Sequence, residues 1–194
     1  MAAPSTIQTA PSAHAEFPEW SAELTTSHGV KLLVRRVRPD DEAGLADLFE
    51  HVLAEDLKFR FLSPLKHVGR DLLARLVGVD HIWDENFLAI AEDGGTLLAS
   101  AMLVSTSDSG EGEVAIAVRS DHRHKGVGWT MLNYLADVGE RKGLRSIISY
   151  ESADNRETID LEREMGFTAH SCADDASLVL LRKALGDPRV NGYE

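Results

Sequence analysis

The sequence predicts a single mixed α/β domain, and three observations predict it. Segments patterned as strand or helix follow one another as β-α-α-β-β-β-α-β-α-β-β, about seven strands and four helices between residues 24 and 185. At 194 residues and 43% hydrophobic, the chain suits one core and needs no second domain. At its centre, VAIAVRSDHRHKGVGWTMLNYLADVGERKG, from Val114 to Gly143, reads as an apolar strand, a basic turn with two glycines and a long amphipathic helix.

Residues 1–23 hold three prolines and little that could form a core, so they read as a disordered lead-in. Val30 to Val37 is the first strand, and Pro39 ends it. Asp40 and Asp41 supply an N-cap and first-turn charge for a helix with Leu45, Leu48, Phe49, Val52 and Leu53 at helical spacing. Ser63-Pro64 breaks the chain, and Leu72, Leu73, Leu76 and Val77 mark a second amphipathic helix. Phe87 to Ala91 and Thr96 to Ser105 are strands joined by the turn Asp93-Gly94-Gly95, and Ser107 to Gly112 is a polar connection.

The fourth strand, Glu113 to Arg119, sends Val114, Ile116 and Val118 to one face and Glu113, Ala115 and Ala117 to the other. The following helix carries Met131, Leu132, Leu135 and Val138 on one side and ends near Gly143. Arg145 to Glu151 is the fifth strand. Asp154-Asn155 opens a short helix that Gly166 stops, Phe167–Cys172 and Ser177–Arg182 close as a hairpin, and residues 186–194 form a tail.

The turn is the chemical centre of this reading. The first amides of a helix lack intrahelical partners and sit at the positive end of its dipole, so they bind phosphate where no side chain blocks the approach. Gly126 and Gly128 remove that obstruction, and Arg123 and Lys125 add local cationic charge in a chain of net charge −12. A P-loop would need Lys then Ser or Thr after the second glycine, where Trp129 and Thr130 stand; a dinucleotide fingerprint would need a third glycine and a later acidic residue. The acidity, with a pI near 5.1, argues against nucleic acid as a partner. The lone Cys172 permits no intramolecular disulfide and reads as a packed strand residue. There is no apolar run of membrane-span length, no secretory pattern and no histidine pair at metal-ligand spacing. A soluble, cytoplasmic protein without metal is expected.

Arg123-x-x-Gly126-x-Gly128 resembles the R-x-x-G-x-G signature of the GNAT superfamily of acyl-CoA-dependent N-acyltransferases. EVAIAV before it is similar to that family's fourth strand, and Asn155 with Gly166-Phe167 to its downstream N-x10-G-F element. The segment RRVRPDDEAGLADLFEHVLAEDLKFRFLSP and the glutamate that opens strand four resemble, more narrowly, the acetyltransferase domain of bacterial protein-lysine acetyltransferases. The resemblance covers roughly residues 30 to 183. It implies a mostly antiparallel central sheet that splays between the fourth and fifth strands.

It also implies a set of roles. The diphosphate of acetyl-CoA would sit on Arg123, His124, Lys125, Gly126, Val127 and Gly128, and its pantetheine arm would run between the splayed strands. The thioester would lie near the main chain of Ala117 and Val118, with Asn155 touching pantetheine. Glu113 is the candidate general base and Glu151 the second. Many members carry a tyrosine seven residues after the asparagine as proton donor to the departing thiolate; here Glu162 stands there, and the donor stays open. Arg60, Phe61 and the segment from His81 to Asp84 would border the acceptor entrance. The implied acceptor is a protein lysine, with acyl-CoA synthetases as a target, in a monomer or homodimer. A small amine, polyamine or antibiotic acceptor and a non-catalytic acyl-CoA sensor are the alternatives.

Overall fold

The computed structural model of the protein describes residues 20–63, 65, 67–105 and 110–186. Among these, β1 (Ala22–Thr25), β2 (Lys31–Arg36), β3 (Asp84–Ala91), β4 (Leu97–Ser105), β5 (Glu111–Val118), β6 (Ser146–Ser152), β7 (Thr168–Ser171) and β8 (Leu178–Ala184) make one sheet in the order β1-β2-β3-β4-β5-β6-β8-β7. Every neighbouring pair is antiparallel except β5 and β6, which run parallel. Five helices accompany it: α1 (Glu42–Glu50), α2 (Ala54–Phe61), α3 (Arg70–Val77), α4 (Val127–Arg141) and α5 (Arg156–Glu164).

Two elements exceed the count expected from the sequence. Strand β1 begins inside the stretch read as a lead-in. It is held by Trp20, whose ring centroid lies 4.9 and 4.3 Å from the guanidinium carbons of Arg36 and Arg141, and whose carbonyl accepts a hydrogen bond from the Tyr134 hydroxyl at 2.9 Å. Four residues with two apolar positions give too short an alternation to signal a strand. Helix α2 buries Leu57 alone, so its hydrophobic period is faint. Residues 1–19 of the expected lead-in, 187–194 of the expected tail, 107–109 of the polar connection and Pro64 lie outside the described residues.

The sheet separates two cores. Val114 and Ile147 pack with Met131, Leu135 and Val138 of α4 and Ile159 of α5, whereas Ala117 packs with Leu45, Leu48, Leu57 and Leu73 of α1 to α3 on the other face. The alternation expected for the fourth strand is therefore realised in β5. Between the cores the sheet opens. β5 and β6 pair at only three positions, Glu111–Ser146, Gly112–Ile147 and Glu113–Ile148; beyond them β5 keeps β4 as its partner and β6 keeps β8.

The far end of the sheet is fastened electrostatically. Glu85 is fully buried and accepts hydrogen bonds from both Nε and Nη2 of Arg36, from Lys142 Nζ at 2.8 Å and from His81 Nδ1 at 3.0 Å. Burial pushes the Glu85 carboxyl up, but these hydrogen bonds outweigh it and hold the carboxyl below its ordinary value. The segment from His81 to Asp84 thus joins β3 to the end of α4, and none of its residues lines the cavity described next.

Candidate active site

The parting of β5 and β6 opens a cavity of about 390 Å³ that reaches from the start of α4 to the strands' separated ends. At one end stands Gly126, N-cap of α4, in the left-handed conformation at φ +79°. A Cβ there would lie 2.9 Å from Ser27 Oγ and 3.2 Å from Thr26 Cβ, so backbone angle and space both call for glycine. The first-turn amides of α4 have no intrahelical acceptor, which leaves them available at the place where the anion cradle is expected. Arg123, His124, Val127 and Gly128 line the same end, and Lys125 is exposed outside the lining.

The basic side chains of the turn are not idle. Arg123 Nη2 donates to Glu157 Oε2 at 3.0 Å, and its Nε lies 3.6 Å from Asp56 Oδ2. His124 Nδ1 lies 3.1 Å from Glu157 Oε1. The turn is therefore tied to α2 and to α5, and a diphosphate arriving on the amides would compete with two carboxylates for Arg123. Neither carboxylate was legible as a site residue, because the pairing joins segments 34 and 67 residues away from Arg123.

Beyond the cradle lies the main chain of β5. The Arg119 N–H donates to Leu98 O of β4 at 2.8 Å, and Val118 stands opposite Ala99. In an antiparallel pair successive residues turn their N–H groups to opposite sides. Ala117 therefore points its N–H to β4 and Val118 points its N–H into the gap. Of the two expected oxyanion donors, Val118 has the fitting direction.

Glu113, Glu151 and Asn155 line this one cavity with Ala117 and Val118. The two glutamates reach it from opposite faces. Glu113 precedes the core residue Val114 on β5, so it projects toward α1 to α3, and its side chain is exposed. Glu151 lies four residues after the core residue Ile147 on β6, so it projects toward α4 and α5. There Ser149 Oγ donates to its Oε1 at 3.0 Å and Asn155 Nδ2 to its Oε2 at 2.7 Å. Asn155 begins α5 without a side-chain cap bond; its side chain is turned back onto Glu151. Burial raises the Glu151 carboxyl, opposed by those two bonds and by the charge of Arg60.

Two further ionisable groups complete the lining. Arg60, from α2, has buried Nε and Nη2 atoms without a hydrogen-bond partner among the described residues. Burial lowers its pKa to about 10, while Glu113 and Glu151 act in the opposite direction, so it stays cationic near neutrality between the two carboxylates. Glu162, from α5, is 3% exposed, with Oε2 buried and unpartnered among the described residues. Burial, then the charge of Glu151, pushes its carboxyl up to about 8, opposed by its contact with the Ser149 side chain. The sequence carried a trace of this: Ile159, Glu162 and Met165 repeat every three residues, which sets the glutamate on the buried side of α5. Among the described residues no cluster suited to a metal ion occurs, and no helix is long and apolar enough to cross a membrane.

Comparison with known proteins gives this arrangement its context. Residues 51–167 match the Acetyltransferase (GNAT) family. Acetyltransferase PA5475 of Pseudomonas aeruginosa is 27% identical over 172 residues, covering 88% of this chain and 91% of that protein. Among solved structures, the GNAT domain of S. lividans PAT superposes with a TM-score of 0.80 at 23% identity, over 86% of this chain and 98% of that one. Spermidine N-acetyltransferase from Vibrio cholerae, in complex with CoA and spermine, gives a TM-score of 0.68 at 16% identity, over 81% and 98%. The mixed eight-stranded sheet with its single parallel pair is the fold of these proteins. With well over half of its length matched, the chain belongs to the GNAT family of acetyltransferases, enzymes that use an acyl-CoA.

Proposed function

We propose that this acetyltransferase moves an acetyl group from acetyl-CoA to a lysine side chain of a protein, by direct attack in a ternary complex with Glu113 as general base. The observation that carries the reading is Glu113 itself. It is an exposed carboxylate at the last paired residue of β5, where the strands part, in one cavity with the α4 cradle and the Val118 amide. The narrower resemblance of the Arg35–Pro64 segment to bacterial protein-lysine acetyltransferases supplies the acceptor class, and acyl-CoA synthetases follow as the first targets to try.

The chemistry follows from the residues. A lysine ammonium has a pKa of about 10.4 and must lose a proton before it can attack. Glu113 accepts that proton, directly or through water. The neighbouring charge of Arg60 disfavours an ammonium beside it and so favours the free amine. The amine attacks the thioester carbonyl, whose developing negative charge meets the Val118 N–H in the strand gap. The α4 amides hold the diphosphate, with Arg123 as a cation beside it, and Asn155 lines the cavity that the pantetheine arm enters.

The test is release of free CoA thiol from acetyl-CoA by the protein alone, then with lysine peptides, acyl-CoA synthetases and polyamines. Release that depends on a lysine-bearing protein, and that falls on the order of 10²-fold or more in Glu113→Gln at unchanged CoA affinity, is the expected result. Release with polyamines alone would replace the acceptor class. CoA binding with no release across the panel would favour an acyl-CoA sensor.

A further inference from the structure

We propose that Glu162 is the acid that delivers a proton to the departing CoA sulfur, so that acetyl transfer runs between two carboxyl groups on opposite faces of the sheet. The proposal rests on the transfer reading above. That reading gives no role to a carboxyl buried in the wall of the reaction cavity, one of whose oxygens has no partner among the described residues. A buried carboxyl without a cation beside it is costly unless it holds a proton. Nothing in the packing of α5 calls for one, because its neighbours on that face, Ile159 and Met165, are apolar core residues.

The proton balance of the reaction gives it a use. The nitrogen lone pair forms the C–N bond and the carbonyl electrons move to oxygen; as they return, the C–S bond breaks and its electron pair leaves on sulfur. Two protons leave the nitrogen of the original ammonium. Glu113 takes the first and passes it to solvent, and the second replaces the proton that Glu162 gives to sulfur. One thiol and one solvent proton result. A thiol of the cysteine kind has an ordinary pKa of about 8.5, so a donor that titrates slightly below it transfers its proton with little uphill cost.

The surroundings keep that proton in place. Glu151 faces Glu162 from β6 and is itself fixed by Ser149 and Asn155. Its negative charge adds to burial in raising the Glu162 carboxyl to about 8, and only the Ser149 hydroxyl opposes it. Arg60 lines the same cavity, where its charge acts on Glu151 and Glu113. Donor and acceptor are also on the right sides. Glu162 belongs to the α5 face, which shares a core with the phosphate-cradling α4, and Glu113 belongs to the α1 to α3 face.

The test compares wild type with Glu162→Gln on two acetyl donors, using the acceptor established for the wild type. With acetyl-CoA, kcat of the variant should fall about 10²-fold while CoA affinity holds. With S-(p-nitrophenyl) thioacetate, whose thiolate leaves without a proton, variant and wild type should run at similar rates. The wild-type kcat profile should fall as pH rises through the Glu162 value of about 8, and the variant should lack that limb. Equal slowing on both donors, or a wild-type profile without the alkaline limb, would overturn the assignment. If Glu113→Gln stops transfer and Glu162→Gln does not, Glu162 alone is wrong. If the wild type releases no thiol with any acceptor, both readings fall together.

Discussion

Glu162 makes a prediction about stability that is independent of turnover. Its carboxyl is raised in the folded chain from an ordinary 4.5 to about 8. Between those values the folded state holds a proton that the unfolded state has released, so stability falls as pH rises and levels off above the folded pKa. At about 1.4 kcal/mol for each pH unit, the full penalty is of order 5 kcal/mol, and partial opening of the site brings it nearer 3 to 4. Glu162→Gln removes the titration while keeping the shape, and its NH2 costs about 1–2 kcal/mol at every pH where it replaces an unpartnered oxygen. The variant should therefore be slightly less stable than wild type near pH 5 and more stable by roughly 2 kcal/mol near pH 9. Urea unfolding at a series of pH values measures the difference directly. A difference that does not change between about pH 5 and 9 would refute the burial argument, because only a titrating group gives it that slope.

Two other perturbations test the frame around the site. Glu85→Gln leaves Arg36, His81 and Lys142 around a neutral amide and should cost about 3–5 kcal/mol in chemical denaturation. Because the folded carboxyl lies below its ordinary value, that stabilisation is present above about pH 4.5 and is lost as pH falls through the folded pKa, so the gap from wild type should close in acid. Gly126→Ala forces a side chain into left-handed backbone beside Ser27 and Thr26; it should cost about 1–2 kcal/mol and weaken CoA binding at least tenfold by calorimetry. Gly143→Ala, at φ +77° with nothing within 4 Å, should share the backbone cost and keep CoA affinity.

What could be read in the sequence was what local pattern encodes. The strand, turn and helix around Gly126 follow from apolar alternation, two glycines and a helical period, and the residues named for that reach line the cavity apart from Lys125. The pairings that decide the charges were not legible, because they join distant segments. Arg123 reads as a free cation for phosphate until Asp56 and Glu157 arrive from α2 and α5. Asn155 reads as the start of a helix and a contact for pantetheine, yet it spends its amide on Glu151, four residues earlier on β6. Arg60 reads as a residue bordering the acceptor entrance; its burial near Glu113 and Glu151 depends on the strands having parted. In the same way LEREMGF looks like a charged helix end, and only the sheet beneath α5 turns Glu162 into a buried acid.

That parting is also what gives two carboxyl groups of one cavity unlike surroundings. Had β5 and β6 stayed paired, Glu113 and Glu151 would be divided by a closed sheet, and Arg60 would have no line to both. With the gap open, the α1 to α3 side offers Glu113 an exposed position near a guanidinium, within reach of an arriving amine as the proposed base must be. The α5 side offers Glu162 burial and an adjacent carboxylate, conditions that favour the protonated form needed in an acid. Neither environment requires an unusual residue; each requires only that the chain place ordinary glutamates on opposite faces of a sheet that opens between them. Removing the charge of Arg60 alone would raise the Glu151 carboxyl further, because it would lose the cation that now opposes the effect of its burial.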